Sequence, residues 1–145
     1  MNPNNKPTSR EKGQSLVEFA FGVVVLVILV AGIFDLGRAL FTYMAMRDAA
    51  QEGALWASVN ANTSNLSTAV ENRVLNASDT ISSLQSDLVI SVNINSQACG
   101  GNAVTVHVSY PNYPLTMPFM GAIIGSQTVP IHASVTDTIL RPACQ

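Results

Sequence analysis

Glu18 has the most unusual chemical setting in this chain, because it is a carboxylate at the entrance of a long apolar run. The run, Phe19 to Phe34, contains no charged residue. In lipid a carboxylate costs roughly 2.5 to 3.5 kcal/mol at the centre of a helix and less near its end. A nearby positive charge would offset that cost. If the chain were cut after Gly13, Gln14 would carry a cationic α-amine and Glu18 would become the fifth residue of the shortened chain.

The spacing between that amine and Glu18 favours contacts between chains. On a helix the two groups lie close to one face. In a packed bundle of helices, Glu18 of one chain can meet the Gln14 amine of a neighbour. Such a pair would fix the axial register between subunits, as buried polar groups do in coiled coils. If the chain is cut at Gly13, these residues therefore predict an N-terminal helix that associates with other helices.

The rest of the sequence lacks the residue patterns of an enzyme or a cofactor site. Its two histidines, His107 and His132, fall on the polar faces of predicted strands, and no acid or cysteine stands at metal-ligand spacing from them. We find no glycine-rich phosphate loop, no G-x-S-x-G motif and no paired-carboxylate cluster. We therefore predict no enzymatic activity, no metal, no cofactor and no small-molecule substrate.

The composition excludes two further classes of protein. Hydrophobic residues make up 48% of the chain, charged residues make up 11%, and the net charge is −2. Disordered chains have low hydrophobicity and high charge, and nucleic-acid binding needs a basic excess, so the composition excludes both. The charged fraction is less than half of the ~25% that is usual in soluble domains. We therefore expect part of the chain to lie in a membrane.

The run from Phe19 to Phe34 is a marginal but credible membrane-spanning helix. It covers roughly 24 Å, short of a bilayer core of about 30 Å, and Leu16, Val17 and Leu36 bring it into the spanning range. The segment before it is net basic, with Lys6, Arg10, Lys12 and Glu11. We therefore expect a cytoplasmic N-terminus and an extracytoplasmic remainder.

Two other interpretations of this segment stay open. The second is an uncleaved single-pass anchor whose extracytoplasmic head binds a ligand or an envelope partner. A secretory signal cut after Ala31 is the third possibility. It is disfavoured because Glu18 is a poor signal-peptide residue and the helical pattern does not stop at Ala31.

The helical pattern continues beyond the apolar run. A continuous helix from about Ser15 to Trp56 would be roughly 60 Å long. Asp35 and Arg38, three residues apart, are a candidate ion pair, either within the helix at the outer lipid surface or between subunits. Small residues repeat at a spacing of four and predict a smooth ridge that another helix or a sheet can approach closely: Ala45, Ala49, Gly53 and Ala57.

The remaining chain predicts a small α+β head. Thr68 and Glu71 form a capping-box pattern that predicts the start of a shorter helix. Three segments with alternating apolar residues, 88–94, 104–110 and 129–135, predict an antiparallel sheet, and Pro130 in the third segment indicates an edge strand or a bulge. The predicted fold class is therefore α+β: a long N-terminal helix, transmembrane in its first half, packed on a small antiparallel three-stranded sheet with a short second helix.

Two features of the head leave alternatives open. Cys99 and Cys144 are a candidate disulfide, which in an extracytoplasmic head would contribute about 4 kcal/mol, or they are two unpaired buried thiols. The loop 111–125 contains three prolines and either folds back onto the sheet or touches the membrane surface or a partner subunit. Its apolar residues are Leu115, Met117, Phe119, Met120, Ile123 and Ile124.

The stretch from Gly13 to Ala57 resembles the TadE family of the tight-adherence (Flp) pilus apparatus, relatives of the pseudopilins of type IV pilus machines. It carries, in order, a G-Q-x-x-V-E-F start, an I-x-D-x-G-R segment and an A-A-x-E-G-A end. The resemblance implies a pseudopilin or minor pilin-like protein for pilus assembly. It also implies that a prepilin peptidase cleaves between Gly13 and Gln14, and that Glu18 is the recognition and assembly carboxylate.

The resemblance further implies an organisation and a set of partners. Residues 1–13 would be a cytoplasmic leader, residues 14–57 a transmembrane and stalk helix, and residues 58–145 an extracytoplasmic head. The protein would lie in the bacterial inner membrane, with its head periplasmic or extracellular. Its partners would be the prepilin peptidase, the membrane, and other pilin or pseudopilin subunits bound through the N-terminal helix, with no nucleic acid. A position in the fibre, at its tip or in the membrane platform is equally compatible with the resemblance.

Overall fold

The computed structural model describes residues 9–118 and 120–141. It has the predicted α+β class, a long N-terminal helix packed on a three-stranded antiparallel sheet, with additional short helices. In chain order the elements are α1 (Ser9–Val59), α2 (Leu66–Leu75), α3 (Asp79–Ser83), β1 (Val89–Ile94), β2 (Ala103–Pro114), α4 (Met120–Ile124) and β3 (Thr128–Thr138).

Helix α1 contains 51 residues and is therefore about 76 Å long. It extends beyond the predicted bounds at both ends, beginning at Ser9 and ending at Val59. At its C-terminus the side-chain amide of Asn60 donates a 2.9 Å hydrogen bond to the carbonyl of Trp56. The backbone N–H of Asn60 donates to the carbonyl of Ala57. These bonds satisfy carbonyl groups that a helix end otherwise leaves unpaired.

The sheet has the order β1-β2-β3, and both neighbouring pairs are antiparallel, as the strand patterns predict. The alternation in the central strand separates its two faces, since Val104, Val106 and Val108 are fully buried while His107 between them is exposed. Pro130 lies in β3, an edge strand, where its missing N–H removes no ladder bond from a central position.

The core lies between the second half of α1 and the inner face of the sheet. The ridge of small residues on α1 is buried there, with Ala49 and Ala57 almost inaccessible to solvent. A Cβ atom at Gly53 would stand only 2.6 Å from Cγ2 of Val74 on α2. The ridge therefore lets α2 and the sheet approach α1 closely, as its spacing predicts.

The predicted capping box at Thr68 and Glu71 is wrong. Helix α2 begins at Leu66, and its N-cap is Asn65, which has a left-handed backbone (φ 63°) and no side-chain capping bond. Asparagine tolerates that conformation better than most residues. The preceding turn ends in this conformation, so the helix starts two residues before Thr68.

Candidate functional site on the N-terminal helix

The predicted cleavage position lies in the exposed first turns of α1. Gly13, Gln14 and Glu18 are all exposed, and a side chain at Gly13 would meet no described heavy atom within 4 Å. Gln14 and Glu18 are four residues apart in one continuous helix, so their side chains share a face at a spacing of about 6 Å. Both the Gly13–Gln14 bond and the Glu18 carboxylate are accessible from outside the head.

The following turns of α1 form a helix that is long and apolar enough to cross a bilayer. The most apolar window of this helix is not buried by the head. Large side chains project from it on all sides, among them Phe19, Phe21, Leu29 and Ile33. Such a surface is unfavourable in water and requires lipid or other apolar helices around it. A secretory signal near the N-terminus also passes this test of length and composition.

Asp35, which directly follows the apolar run, is buried although it lies outside the main core. Its side chain is covered by the segment that follows β2, and the residue is only 5% exposed. Oδ2 of Asp35 accepts a 2.6 Å hydrogen bond from the backbone N–H of Met117. Oδ1 lies 3.9 Å from Nη1 of Arg38 and has no hydrogen-bond partner among the described residues. A backbone donor and a guanidinium therefore balance the carboxylate charge.

Arg38 joins the same loop from the next turn of α1. Its Nη1 donates a 2.6 Å hydrogen bond to Oγ1 of Thr116. The guanidinium carbon lies 5.8 Å from the ring centroid of Phe34 and 5.9 Å from that of Tyr113, within the range of cation–π attraction. Asp35 and Arg38 thus form an ion pair along the helix whose hydrogen bonds go to the loop after β2.

An aromatic pair at the end of β2 supports this contact. The rings of Tyr110 and Tyr113 meet edge to face with their centroids 5.5 Å apart, at the bulge between β2 and β3. The hydroxyl of Tyr110 donates a 3.4 Å hydrogen bond to Asp87. Burial, together with the Asp87 carboxylate, raises the pKa of Tyr110 above its ordinary value of 10.0. Tyr110 therefore stays a neutral hydrogen-bond donor at physiological pH. Its ring packs against that of Tyr113, which in turn faces Arg38.

Gly32 allows the loop to lie directly on α1. A Cβ atom at this position would stand 2.9 Å from Cε of Met117. Gly32, Asp35 and Arg38 are spaced by three residues and occupy neighbouring positions on one side of the helix. We call these three residues, together with Thr116 and Met117, the helix–loop contact.

Gln127, just before β3, holds the loop in its docked shape. Its Nε2 donates to the carbonyls of Leu115 (2.9 Å) and Met117 (3.0 Å). Its Oε1 accepts a 3.0 Å hydrogen bond from the N–H of Gly121 in α4. The backbone carbonyl of Gln127 accepts from the N–H of Leu115. The Gln127 side chain therefore takes the place of the hydrogen bonds between β2 and β3 that are lost where these strands separate.

The face of α1 opposite the helix–loop contact is exposed from Ile33, in the last turn of the apolar run, to the cleft beside Ala77 and Ser78 of the head. Phe41 is 63% exposed and Met44 is 58% exposed, although both stand on the part of α1 that carries the head. Ile33, Gly37 and Phe41 follow at a spacing of four and line a shallow groove of about 400 Å³. We call the side chains at 33, 37, 41 and 44 the outer stripe.

Cys99 lies in the loop between β1 and β2 and is 9% exposed. Its predicted disulfide partner, Cys144, lies outside the described residues. The end of β3 reaches the same loop, because Gly101 N–H donates to the Ile139 carbonyl and Ile139 N–H donates to the Asn102 carbonyl. This approach brings the chain close to Cys99 five residues before Cys144, which supports the predicted pairing.

The two histidines lie on the outer face of the sheet. The β2–β3 register pairs Ser109 with His132 and His107 with Ser134, so the imidazoles occupy diagonal positions. Across residues 9–118 and 120–141, no three or more His, Cys, Asp or Glu side chains gather closely enough to hold a metal ion.

The sequence marks Asp35 and Arg38 as a candidate pair but does not mark their partners on the loop. Met117 contributes a backbone N–H, which every residue except proline has, so no residue-type signal marked it.

The interpretation of the loop as core of the sheet is wrong for its described apolar residues. Leu115, Met117 and Met120 are only partly buried, next to α1 and outside the buried core, while Ile123 and Ile124 are exposed.

The comparison with known proteins matches the same helix. Residues 13–55 match the family model described as TadE-like protein, as the motifs at Gly13 and beyond predict. The match runs from the predicted cleavage position through the apolar run, the helix residues of the helix–loop contact (Gly32, Asp35 and Arg38) and most of the small-residue ridge. No curated protein and no solved structure is significantly similar to this chain.

Proposed function

We propose that this chain is a pilin-like subunit, a pseudopilin or minor pilin, that is processed by a prepilin peptidase and assembles in a tight-adherence pilus system. The family match supports this class, because it covers residues 13–55 and therefore the helix with which such subunits would pack. The role is structural, and the proposal assigns no catalytic step to the chain.

The observation that carries the proposal is the outer stripe. The head covers α1 on the side of Asp35, Met46 and Gly53, but it leaves Phe41 and Met44 exposed, at the edge of a cleft whose other wall is Ala77, Ser78 and Thr80 of the head. These apolar side chains lie beyond the membrane run, where lipid does not cover them. The groove at Gly37 gives a second helix room to approach closely. A helix-lined interface between copies, or with another pilin-like subunit, accounts for this surface.

Processing would complete the interface at the other end of the helix. Cleavage after Gly13 would give Gln14 a cationic α-amine. Glu18 is exposed, so it is free to meet the amine of a neighbouring chain. An amine–carboxylate pair in lipid is favourable only when both partners are present, since an unpaired charge there is costly. That requirement would select one axial register between neighbouring helices.

The proposed orientation follows from charge. The leader 1–13 is net basic and would remain in the cytoplasm, and the head would lie on the opposite side of the inner membrane. A disulfide between Cys99 and Cys144 suits that compartment, which is oxidising.

Photo-crosslinking tests the interface without using the native cysteines. A benzophenone amino acid is placed at Phe41 or Met44 of the full chain in its native membrane, with Val89 as the matched control. Val89 is also large and exposed, but it lies on β1. We expect adducts at Phe41 and Met44 that contain a second copy or another pilin-like subunit, and none at Val89. Equal, weak labelling at all three positions would contradict the proposal and favour the uncleaved anchor with a binding head.

A further inference from the structure

Helix α4 and the loop that carries it form an apolar surface without charge. The chain contains no Asp, Glu, Lys or Arg between Asp87 and Asp137. Ile123 is 74% exposed and Ile124 is 48% exposed, and both belong to α4. Together with the uncharged loop, these adjacent exposed isoleucines form an apolar patch of the kind that marks a protein or membrane contact.

The helix–loop contact fixes where this surface lies. Met117 packs on Gly32, which belongs to the apolar run of α1. The loop, α4 and the helix enclose an apolar groove of about 290 Å³ whose walls include Leu36, Leu115 and Met120. Helix α4 is therefore attached beside the end of the membrane-spanning segment.

Bilayer thickness places this region inside the hydrocarbon layer. The apolar run spans roughly 24 Å, which is shorter than a core of about 30 Å. A core that begins after Glu18 would extend for about 20 residues and end near Arg38. Gly32 would then lie about 9 Å inside the core boundary, at about 1.5 Å per residue. Asp35 would also lie within the core, where the Met117 N–H covers its carboxylate.

We propose that α4 and the loop residues Leu115 to Met117 insert into the leaflet on the head's side, with phospholipid acyl chains covering Ile123, Ile124 and the groove. The loop would act as an apolar cover for Asp35 and would bring the effective hydrophobic length of the short run up to that of the bilayer. This inference rests on the part of the proposed function in which α1 spans a membrane. It depends on neither processing nor pilus assembly.

Lipid fits this surface better than a second copy of the chain. Helix α4 is attached on the side of α1 that carries Gly32 and Asp35, and the outer stripe lies on the opposite side. Lateral packing through the outer stripe would therefore leave α4 facing lipid. Charged residues that commonly rim a protein interface are also missing from the loop sequence 111–125.

Tryptophan quenching in bilayers tests the depth of α4. The chain has one tryptophan, Trp56, so Trp56→Phe provides a silent background. Single tryptophans are then introduced into the full chain as Ile123→Trp, Leu26→Trp or Val89→Trp, and the variants are placed at one chain per nanodisc of phosphatidylcholine with brominated acyl chains. Leu26 reports on the spanning run, and Val89 reports on an exposed strand of the head.

We expect brominated lipid to quench Ile123→Trp and Leu26→Trp strongly and Val89→Trp little. Quenching at Leu26 with Ile123 as unquenched as Val89 would overturn the insertion of α4 while leaving the span intact. An unquenched Leu26→Trp would show that α1 does not span the bilayer. That result would overturn both this inference and the membrane part of the proposed function. Shielding of Ile123→Trp from acrylamide only at high protein density, without lipid quenching, would assign the surface to a second copy and also overturn the proposal.

Discussion

The backbone N–H of Met117 donates a 2.6 Å hydrogen bond to Oδ2 of Asp35, joining two residues that are 82 positions apart in the sequence. The bond ties the loop after β2 to the outer end of the apolar run. The stalk helix and the head are therefore joined at two places, the core around Gly53 and the helix–loop contact. The second connection fixes which side of α1 the head covers and which side it leaves exposed.

Replacing Asp35 by asparagine should loosen the loop without unfolding the head. The amide keeps an acceptor for Met117 N–H but loses the charge. A hydrogen bond to a charged group is worth about 1.5 to 3 kcal/mol, against about 0.5 to 1.5 kcal/mol for a neutral one. We expect local opening to rise about 5- to 30-fold. Hydrogen exchange of segment 115–118, measured in lipid nanodiscs, checks this prediction.

The matched control is Asp48→Asn, which removes an exposed carboxylate from the same helix. Exchange of the loop in that variant should equal the wild-type rate. If Asp35→Asn exchanges no faster than Asp48→Asn, the helix–loop contact does not depend on the Asp35 charge.

Gly53→Ala should destabilise the head because the new methyl group has no room. It would stand 2.6 Å from Cγ2 of Val74 and 3.2 Å from Cγ1 of Val70. Overpacking of this kind costs about 1 to 3 kcal/mol, which exceeds the gain of about 0.5 to 1 kcal/mol from replacing glycine within a helix. Urea unfolding of the full chain in detergent, followed by Trp56 fluorescence, gives the free energy of unfolding.

Gly37→Ala, on the same helix, should change the free energy of unfolding in the opposite direction. No described heavy atom lies within 4 Å of a Cβ at Gly37, so only the gain in helix propensity remains. We expect Gly37→Ala to unfold at a higher urea concentration than wild type and Gly53→Ala at a lower one. Equal shifts for the two variants would refute the close approach of α2 to the ridge.

Glu18→Ala should abolish assembly while leaving cleavage after Gly13 largely intact. The substitution removes the carboxylate that would pair with the neighbouring Gln14 amine, and leaves the Gly13–Gln14 bond unchanged. The mature mass reports on cleavage, and surface pili, counted by electron microscopy, report on assembly. Glu71→Ala, an exposed acid on α2, is the control and should be piliated normally. Normal pili in Glu18→Ala would refute the role of Glu18 in register.

The cysteine pair should be a disulfide in the native protein. We expect neither thiol to be alkylated in the denatured, unreduced chain, and both to be alkylated after reduction. Cys99→Ser should lower the free energy of unfolding by about 2 to 5 kcal/mol, because the unfolded chain loses a long closed loop. Alkylation of both thiols without reductant would show that Cys99 and Cys144 are not paired.

The local patterns in the sequence were sufficient to predict the long helix and the three strands. Alternation at Val104, Val106 and Val108 placed the central strand correctly because one face of the sheet is buried and the other is solvated. The spacing of Ala49, Gly53 and Ala57 predicted the close contact of α1 because small side chains admit a neighbouring backbone. Both signals lie within one element, which is why they can be read without a structure.

The helix–loop contact could not be predicted in the same way. Its central hydrogen bond uses the backbone of Met117, and the loop is held by Gln127, a residue type that is common at exposed positions. Neither feature leaves a periodic pattern. The start of α2 was missed for a related reason, since the left-handed conformation of Asn65 depends on the preceding turn. Asp35 and Arg38 could be identified from their positions, but the backbone N–H of Met117 could not.

The intact mass and N-terminal sequence of the protein from its native membrane test the central claim most directly. A chain that begins at Gln14 is the predicted result, and Gly13→Leu should abolish that product and leave the full-length mass. A native chain that begins at Met1 would contradict processing and leave a plain membrane anchor with a binding head. A chain that begins at Gly32 would contradict it as well, and would identify a secreted domain released after Ala31.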